Sequence, residues 1–314
     1  MKKKIIFMGT PEYARIILEG LLAKKDIEIL AVFTQEDKKI GRGQKLAFPH
    51  IKQFIEDNNL NIKIFQPKSL KNSESFEDIK NLNPDFIIVA AYGQILPKNI
   101  LEICPCINLH ASLLPKYRGA SPVQEAILQN EEFSGVTAML MEEGLDCGDI
   151  LGFRYVNIKG LRAFELFELL SIVARDLTLE ILDNFSKILP KKQNESLSSY
   201  CKKIQKSAGM LDFLDAKECF LKFLAFNPWP GVFSKDGLKF RNLEIYEEDS
   251  SNKAGEILEL KKDYMILACK RGSLKIKALQ MPSKKMLDFK DFSSAFQNLE
   301  IKKDFFTQIF PSKS

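Results

Sequence analysis

Short apolar runs and helical periodicities alternate through the first half of the chain. "KIIFMG" (4–9) reads as a strand closed by a glycine turn. Residues 11–24, "PEYARIILEGLLAK", carry apolar positions at helical spacing, with Pro11 suited to a first helical turn. "IEILAVFT" (27–34) predicts the next strand. A helix near 48–58, a short strand at 62–65 and a further helical stretch follow. The run "DFIIVAAY" (85–92) is continuously apolar, as expected of a strand buried on both faces. "CINLH" (106–110), "GVTAMLM" (135–141) and "ILGFRYVNI" (150–158) add three strands, and 163–188 reads as one long amphipathic helix. Strands interleaved with helices predict an α/β domain, a doubly wound and mainly parallel Rossmann-like sheet. Working groups in such sheets lie beyond the carboxyl ends of the strands, here Gly9-Thr10, Ala90 to Gln94 and Asn108 to His110.

The pattern changes after the long helix. Residues 190–208 are polar and rich in Lys and Ser and read as a linker. Beyond 209, short alternating runs with turns at Asp236-Gly237 and Arg271-Gly272 predict a small β-rich domain, an OB-like barrel. The expected organisation is 1–189, a linker at 190–208, and 209–314.

Length and charge narrow this little further. A chain of 314 residues suits two ordinary domains or one large one. The net charge of +5 is compatible with an anionic partner such as RNA without demanding one. The basic stretch "LKKDYMILACKRGSLKIK" reads equally as an RNA-binding face and as a solvated strand face. Four apolar residues after the N-terminal lysines are too few for a signal-peptide core, and no run is long enough to span a bilayer. The expected location is cytoplasmic, with no membrane association. The six cysteines lack the spacing of a disulfide framework, and Cys104-Pro105-Cys106 has no second pair to complete a metal site. With only two histidines, His50 and His110, no metal is expected.

One histidine nevertheless sits in suggestive company. Asn108 and His110 end a predicted strand, and "EEGLDCGDI" (142–150) supplies Asp146 and Asp149 between two others. A carboxylate beside an imidazole orients it and favours its charged form. Imidazolium and carboxamide together would be two donors suited to a carbonyl oxygen that becomes an oxyanion. Neither Ser112 nor Cys106 lies in a nucleophile elbow, so acyl transfer without a covalent enzyme intermediate fits best. On spacing alone, a hydrogen-bonded histidine and an acidic turn remain an equal reading.

Four segments in order, "FMGTPEYA" (7–14), "VAAYGQILP" (89–97), "INLHASLLPKYRGASP" (107–122) and "GVTAMLMEEGLDCGDI" (135–150), resemble the formyltransferase family that uses 10-formyltetrahydrofolate. The resemblance spans nearly the whole chain. It implies a catalytic set of Asn108, His110 and Asp146. It implies a pocket for the folate donor at Gln94, Ile95 and Leu96 and at Ser112, Leu113, Leu114 and Pro115. Two features point to the branch of the family whose acceptor is charged initiator methionyl-tRNA. "TQEDKKIGRGQKLAFP" (34–49) resembles its inserted basic loop, and "AFNPWPGVF" (225–233) leads into its C-terminal domain. Expected tRNA contacts are Lys38, Lys39, Arg42 and Lys45 in the loop and Lys202, Lys203 and Lys206 in the linker. A monomer is expected. The alternatives are a nucleotide-sugar N-formyltransferase with the same triad, hydrolysis of the formyl donor, and an RNA-binding protein on a degenerate enzyme fold. Departures from the family pattern are Glu36, Ser121, Cys147 and a loose match over "KKIQKSAGMLDF"; none touches the three catalytic candidates.

Overall fold

The computed structural model describes residues 2–40, 43–295 and 298–310. These residues gather into two compact units. The first comprises Met1–Val123, Glu132–Ile158 and Glu165–Lys203; the second comprises Gln124–Glu131, Lys159–Phe164 and Ile204–Ser314.

The first unit is built on β1 (Lys3–Gly9), α1 (Glu12–Leu22), β2 (Ile27–Phe33), a two-stranded ribbon of β3 (Lys38–Ile40) and β4 (Lys45–Ala47), α2 (His50–Asp57), β5 (Lys63–Phe65), α3 (Ser73–Leu82), β6 (Phe86–Ala90), α4 (Lys98–Leu101) and β7 (Cys106–His110). It continues through β8 (Arg118–Gly119), β9 (Phe133–Leu140), β10 (Ile150–Asn157), the long α6 (Ala163–Asn184, from Glu165 onward) and β11 (Tyr200–Cys201), while α5 (Pro122–Leu128) belongs to the second unit from Gln124 onward. The main sheet runs β10-β9-β7-β6-β1-β2-β5. Pairing is parallel from β7 through β5, and β9 and β10 join antiparallel at one edge. The buried runs behave as their composition demands. Ile5 to Met8 and Ile87 to Ala90 are almost wholly enclosed, since helices cover both faces of a parallel sheet. β10 lies at the edge, and its outward positions Phe153 and Tyr155 are exposed.

The chain turns back between β5 and β6, placing β6 beside β1 on the side opposite β2. This is the topological switch point at which open α/β sheets bind ligands. Gly9 pairs with Ala90 there, and Val89 pairs with Asn108. Thr10 Oγ1 donates to Tyr92 O (3.1 Å), tying the loops that follow β1 and β6. Tyr13 Oη, buried in α1, donates to Leu109 O (3.1 Å), and burial pushes its phenol well above the usual range.

The 34–49 segment, expected to be a loop, is a ribbon anchored at its base. Lys52 Nζ donates to Asp37 Oδ2 (2.7 Å) and Gln66 Oε1 (3.1 Å), while Gln66 Nε2 donates to Asp37 Oδ1 (2.8 Å) and Gln35 O (2.8 Å). Hydrogen bonding to Gln66 and then Lys52 holds the Asp37 carboxyl below the ordinary aspartate range. A depressed folded-state value contributes stability at neutral pH that is lost as the pH falls through it. Asp37→Asn is therefore expected to lower stability at pH 7, by about 1 kcal/mol for a half-buried network that water still screens in part. The difference from wild type should shrink below the ordinary aspartate range, as read by denaturant unfolding across pH.

The segment expected to be a linker is ordered against the first unit as far as Lys203. β11 pairs in parallel with β8, and Gln193 and Cys201 are buried. The second unit is rich in antiparallel strands. It contains α7 (Ala216–Ala225), β12 (Val232–Phe233), β13 (Lys239–Ser251), β14 (Ile257–Leu260), β15 (Met265–Ala268), β16 (Arg271–Gln280), β17 (Leu287–Asp288), α8 (Phe289–Ala295) and α9 (Phe305–Ile309). Its sheet follows β12-β13-β16-β15-β14, with β17 also on β16. The register of β13 on β16 slips at several points along its 13 residues, and such bulges bend and twist a long strand. Asp215 caps α7, accepting from Glu218 N (3.1 Å), and is ion-paired with Arg271. Among the described residues no helix is long and apolar enough to cross a membrane.

Candidate active site

Asn108 and His110 are alternate residues of β7 and so project from one face of the sheet. Asp146 comes from the loop between β9 and β10. That loop is closed at its base by Leu140 N donating to Asp149 O (2.9 Å) and tied to β7 by Met141 N donating to Cys106 O (2.8 Å). Asp146 adopts the left-handed backbone region (φ 50°), uncommon outside glycine, and this aims its side chain inward.

The three candidates converge. Asn108 Nδ2 donates to Asp146 Oδ1 (3.2 Å), the Gly119 backbone N–H donates to Asp146 Oδ2 (2.8 Å), and His110 Nδ1 lies 3.6 Å from the same Oδ2. A carboxylate only accepts, so it suits a point where three donors meet. His110 Nε2 faces Tyr117 O (2.9 Å), a carbonyl that accepts only from a protonated nitrogen. Nδ1 faces the Asp146 carboxylate at 3.6 Å, a close approach rather than a hydrogen bond. The side chains of His110 and Asp146 are 7% and 14% exposed, enough to be reached but poorly screened by water.

One expectation changes in detail. His110 does not point a free N–H at a substrate oxygen, because both ring nitrogens already face protein acceptors. Asn108 is the better placed donor, since one of its two amide hydrogens serves Asp146 and the other is left over.

Gly119 has φ +115°, and a side chain there would run into Cys201 O. The residue that presents an N–H to Asp146 must therefore be glycine.

The expected donor-pocket residues fall into two groups. Gln94 is engaged as a brace: its Oε1 accepts from Leu70 N (3.1 Å) and its Nε2 donates to Pro67 O (2.8 Å). Ser112 is fully buried, its hydroxyl donating to Lys116 O (2.7 Å) and its carbonyl accepting from Thr137 Oγ1 (2.7 Å). Leu96 and Leu114 are buried, Leu113 and Pro115 are half-buried, and Ile95 is 71% exposed. A cleft of about 390 Å³ opens where the Asp146 loop leaves β9, lined by Lys98, Leu101, Glu102 and residues 141–144. Leu101 and Met141 give it apolar surface, and exposed Leu145 follows directly. Those residues were not singled out from sequence, although 141–145 lie within a quoted motif.

Of the expected tRNA contacts, Lys38, Lys39, Lys45, Lys202, Lys203 and Lys206 are all exposed, and Arg42 lies outside the described residues. The ribbon register pairs Lys38 with Ala47 and Ile40 with Lys45, so Lys38 and Lys45 share one face while Lys39 takes the other.

Arg118, Gln193, Glu195 and Tyr200 were missed. Arg118 is 1% exposed and donates to Gln193 Oε1 and both carboxylate oxygens of Glu195. Hydrogen bonding to Glu195 raises the Arg118 value further, and Arg118 holds the Glu195 carboxyl below its usual range. The only sequence signal was the arginine inside "KYRGASP"; the polar run around Gln193 looked like any tether. Among the described residues no group of three or more His, Cys, Asp or Glu is gathered as metal ligands.

Known proteins share this arrangement of domains. The family model described as formyl transferase matches residues 2–163, and that of the formyl transferase C-terminal domain matches 203–297. The chain is 53% identical over 290 residues to the methionyl-tRNA formyltransferase of Campylobacter lari, covering 92% of this chain and 95% of that one. It is 51% identical over 286 residues to the methionyl-tRNA formyltransferase of Nitratiruptor sp., covering 91% and 94%. Among solved structures, HypX from Aquifex aeolicus in complex with tetrahydrofolic acid shares the fold at TM-score 0.62 and 17% identity, covering 95% of this chain and 48% of HypX, so this chain spans about half of that protein. The sugar 3N-formyl transferase WlaRD aligns at TM-score 0.65 and 21% identity over 91% of this chain and all of its own. With both family domains matched in order and 53% identity to a relative over 92% of this chain, this chain belongs to the formyl transferase family.

Proposed function

We propose that the chain transfers the formyl group of 10-formyltetrahydrofolate to the α-amino group of methionine carried on initiator tRNA. The observation that carries the chemistry is the meeting of Asn108, His110 and Gly119 N–H on one carboxylate, Asp146, at the carboxyl end of β7. The acceptor follows from relatives at 51–53% identity over nearly their whole length.

The residues fit such a donor. The cleft beside Leu101 and Met141 offers apolar surface to a planar heterocycle, and its volume of about 390 Å³ lies within the range of small-molecule sites. In the reaction the amine nitrogen would form a bond to the formyl carbon, the bond from that carbon to N10 would break, and N10 would leave with a proton that balances the one lost by the amine. Asn108 gives its remaining amide hydrogen to the formyl oxygen as negative charge grows there. Asp146 receives the proton of the attacking amine, directly or through water. His110 packs its Nδ1 against the Asp146 carboxylate and helps to orient it. For its Nε2 to reach the oxygen, the ring must give up Tyr117 O.

Residues 209–314 and the exposed lysines of the ribbon and of 202–206 serve tRNA binding, with Arg42 as an acceptor-stem contact. The location that goes with this acceptor is the cytoplasm, and the working form is a monomer.

The test offers the purified protein the formyl donor with charged initiator methionyl-tRNA, an amino-sugar nucleotide, or water, with His110→Ala as the blank. Formylated methionyl-tRNA from wild type alone is the expected result. Transfer to the sugar would keep the triad and overturn the acceptor. Because only a neutral amine attacks, activity should rise from about pH 5 to 8; a flat profile would count against the scheme.

A further inference from the structure

We infer that Gln193 is a positioning residue for Asp146, holding the aspartate loop in the one backbone conformation that aims the carboxylate at Asn108 and His110. This rests on the role proposed above for Asp146.

The Gln193 carboxamide uses all of its capacity. Its Nε2 donates to Asp146 O (2.9 Å) and to Gly148 O (2.8 Å). Its Oε1 accepts from Arg118 Nε (3.0 Å) and Nη2 (2.8 Å). Arg118 is in turn saturated, its remaining donors going to Glu195 Oε1 (2.7 Å), Glu195 Oε2 (2.9 Å) and Tyr200 Oη (3.2 Å). A planar guanidinium with five used donors cannot swing, so the amide it grips cannot rotate. The two carbonyls on Nε2 flank Cys147, and the first belongs to Asp146 itself, whose φ of 50° disfavours this backbone when left unsupported. The loop has no slack on its other side, because a side chain at Gly148 would run into Leu140 O.

Asp146 is thus held twice by one assembly. Gly119, next to Arg118 on β8, donates its N–H to the carboxylate, and Gln193, on Arg118, holds the main chain. Gln193 lies 47 residues from Asp146 and is 9% exposed. No shorter or apolar residue could span from the guanidinium to both carbonyls.

Two substitutions separate the parts of this role. Gln193→Glu keeps the shape and the attraction to Arg118 but sets a carboxylate oxygen against two carbonyls. Gln193→Leu removes both contacts. Each is expected to lower kcat about 10²-fold with the KM of both substrates within about twofold, the signature of misplaced chemistry rather than lost binding. A second readout needs no substrate. The chain has two histidines, so ring 15N resonances can be assigned with His50→Gln. In both variants the His110 resonances should move at pH 7, because the carboxylate beside Nδ1 has shifted. If Gln193→Leu fails to fold, Gln193→Glu carries the test alone. Unchanged His110 resonances in a folded variant, or a kcat within about threefold of wild type, overturn the inference. If wild type itself formylates no tRNA, the functional reading fails, and the resonances still decide whether Gln193 positions Asp146.

Discussion

Asn108→Ala is expected to lower kcat for formyl transfer about 10²–10³-fold, the usual loss when one oxyanion donor is removed. Asn108 is half-buried at the end of β7, and one amide hydrogen already serves Asp146 Oδ1 at 3.2 Å. The other is oriented by that bond and costs nothing to reorganise when charge appears on the substrate oxygen. The KM for methionyl-tRNA should stay near wild type, since the contact strengthens only as the oxyanion forms. Asn108→Asp should be at least as damaging, placing a second carboxylate against Asp146. Steady-state kinetics with a thermal-unfolding control reads both variants. A loss in kcat below about threefold in a well-folded Asn108→Ala would remove Asn108 from the catalytic set.

The second large effect is ionic. The six exposed lysines at 38, 39, 45, 202, 203 and 206 are the proposed phosphate contacts. If each neutralises one phosphate, affinity for tRNA should fall about 10³-fold between about 50 and 200 mM salt, with a slope near 0.9 per contact on duplex. Neutralising Lys38 and Lys45, which share a ribbon face, should reduce the slope by about two and leave kcat at saturating tRNA unchanged. Filter binding of tRNA across salt concentrations measures this directly. A salt-independent affinity would sink the proposal for the ribbon and the 202–206 segment together.

Much of the first unit was legible because its signals are local. Buried parallel strands must be apolar on both faces, so "IIFMG" and "FIIVAAY" announced β1 and β6 by composition alone. The long helix was read from periodicity, though it ends at Asn184 in a short 3-10 turn rather than at 188. The ribbon was less legible, since two three-residue strands are too short to show a period. The donor pocket was half-read: Gln94 and Ser112 carry the polar atoms one would choose for a ligand, yet each bonds its own loops.

By itself the sequence determined which segments become strands and helices, and that an asparagine and a histidine stand near a strand end with an aspartate in a loop between two other strands. Those properties depend on side-chain pattern within a dozen residues. Only the tertiary structure decided the antiparallel entry of β9 and β10, the carbonyl that occupies His110 Nε2, and the return of 193–201 to grip the Asp146 loop. Each of these depends on which distant backbone groups need a partner once the sheet has closed around them, and a buried polar group takes whichever partner the fold brings within reach. A polar stretch that reads as a tether therefore became part of the site, because Arg118 and the carbonyls of Asp146 and Gly148 required hydrogen-bonding partners that no neighbouring residue supplies.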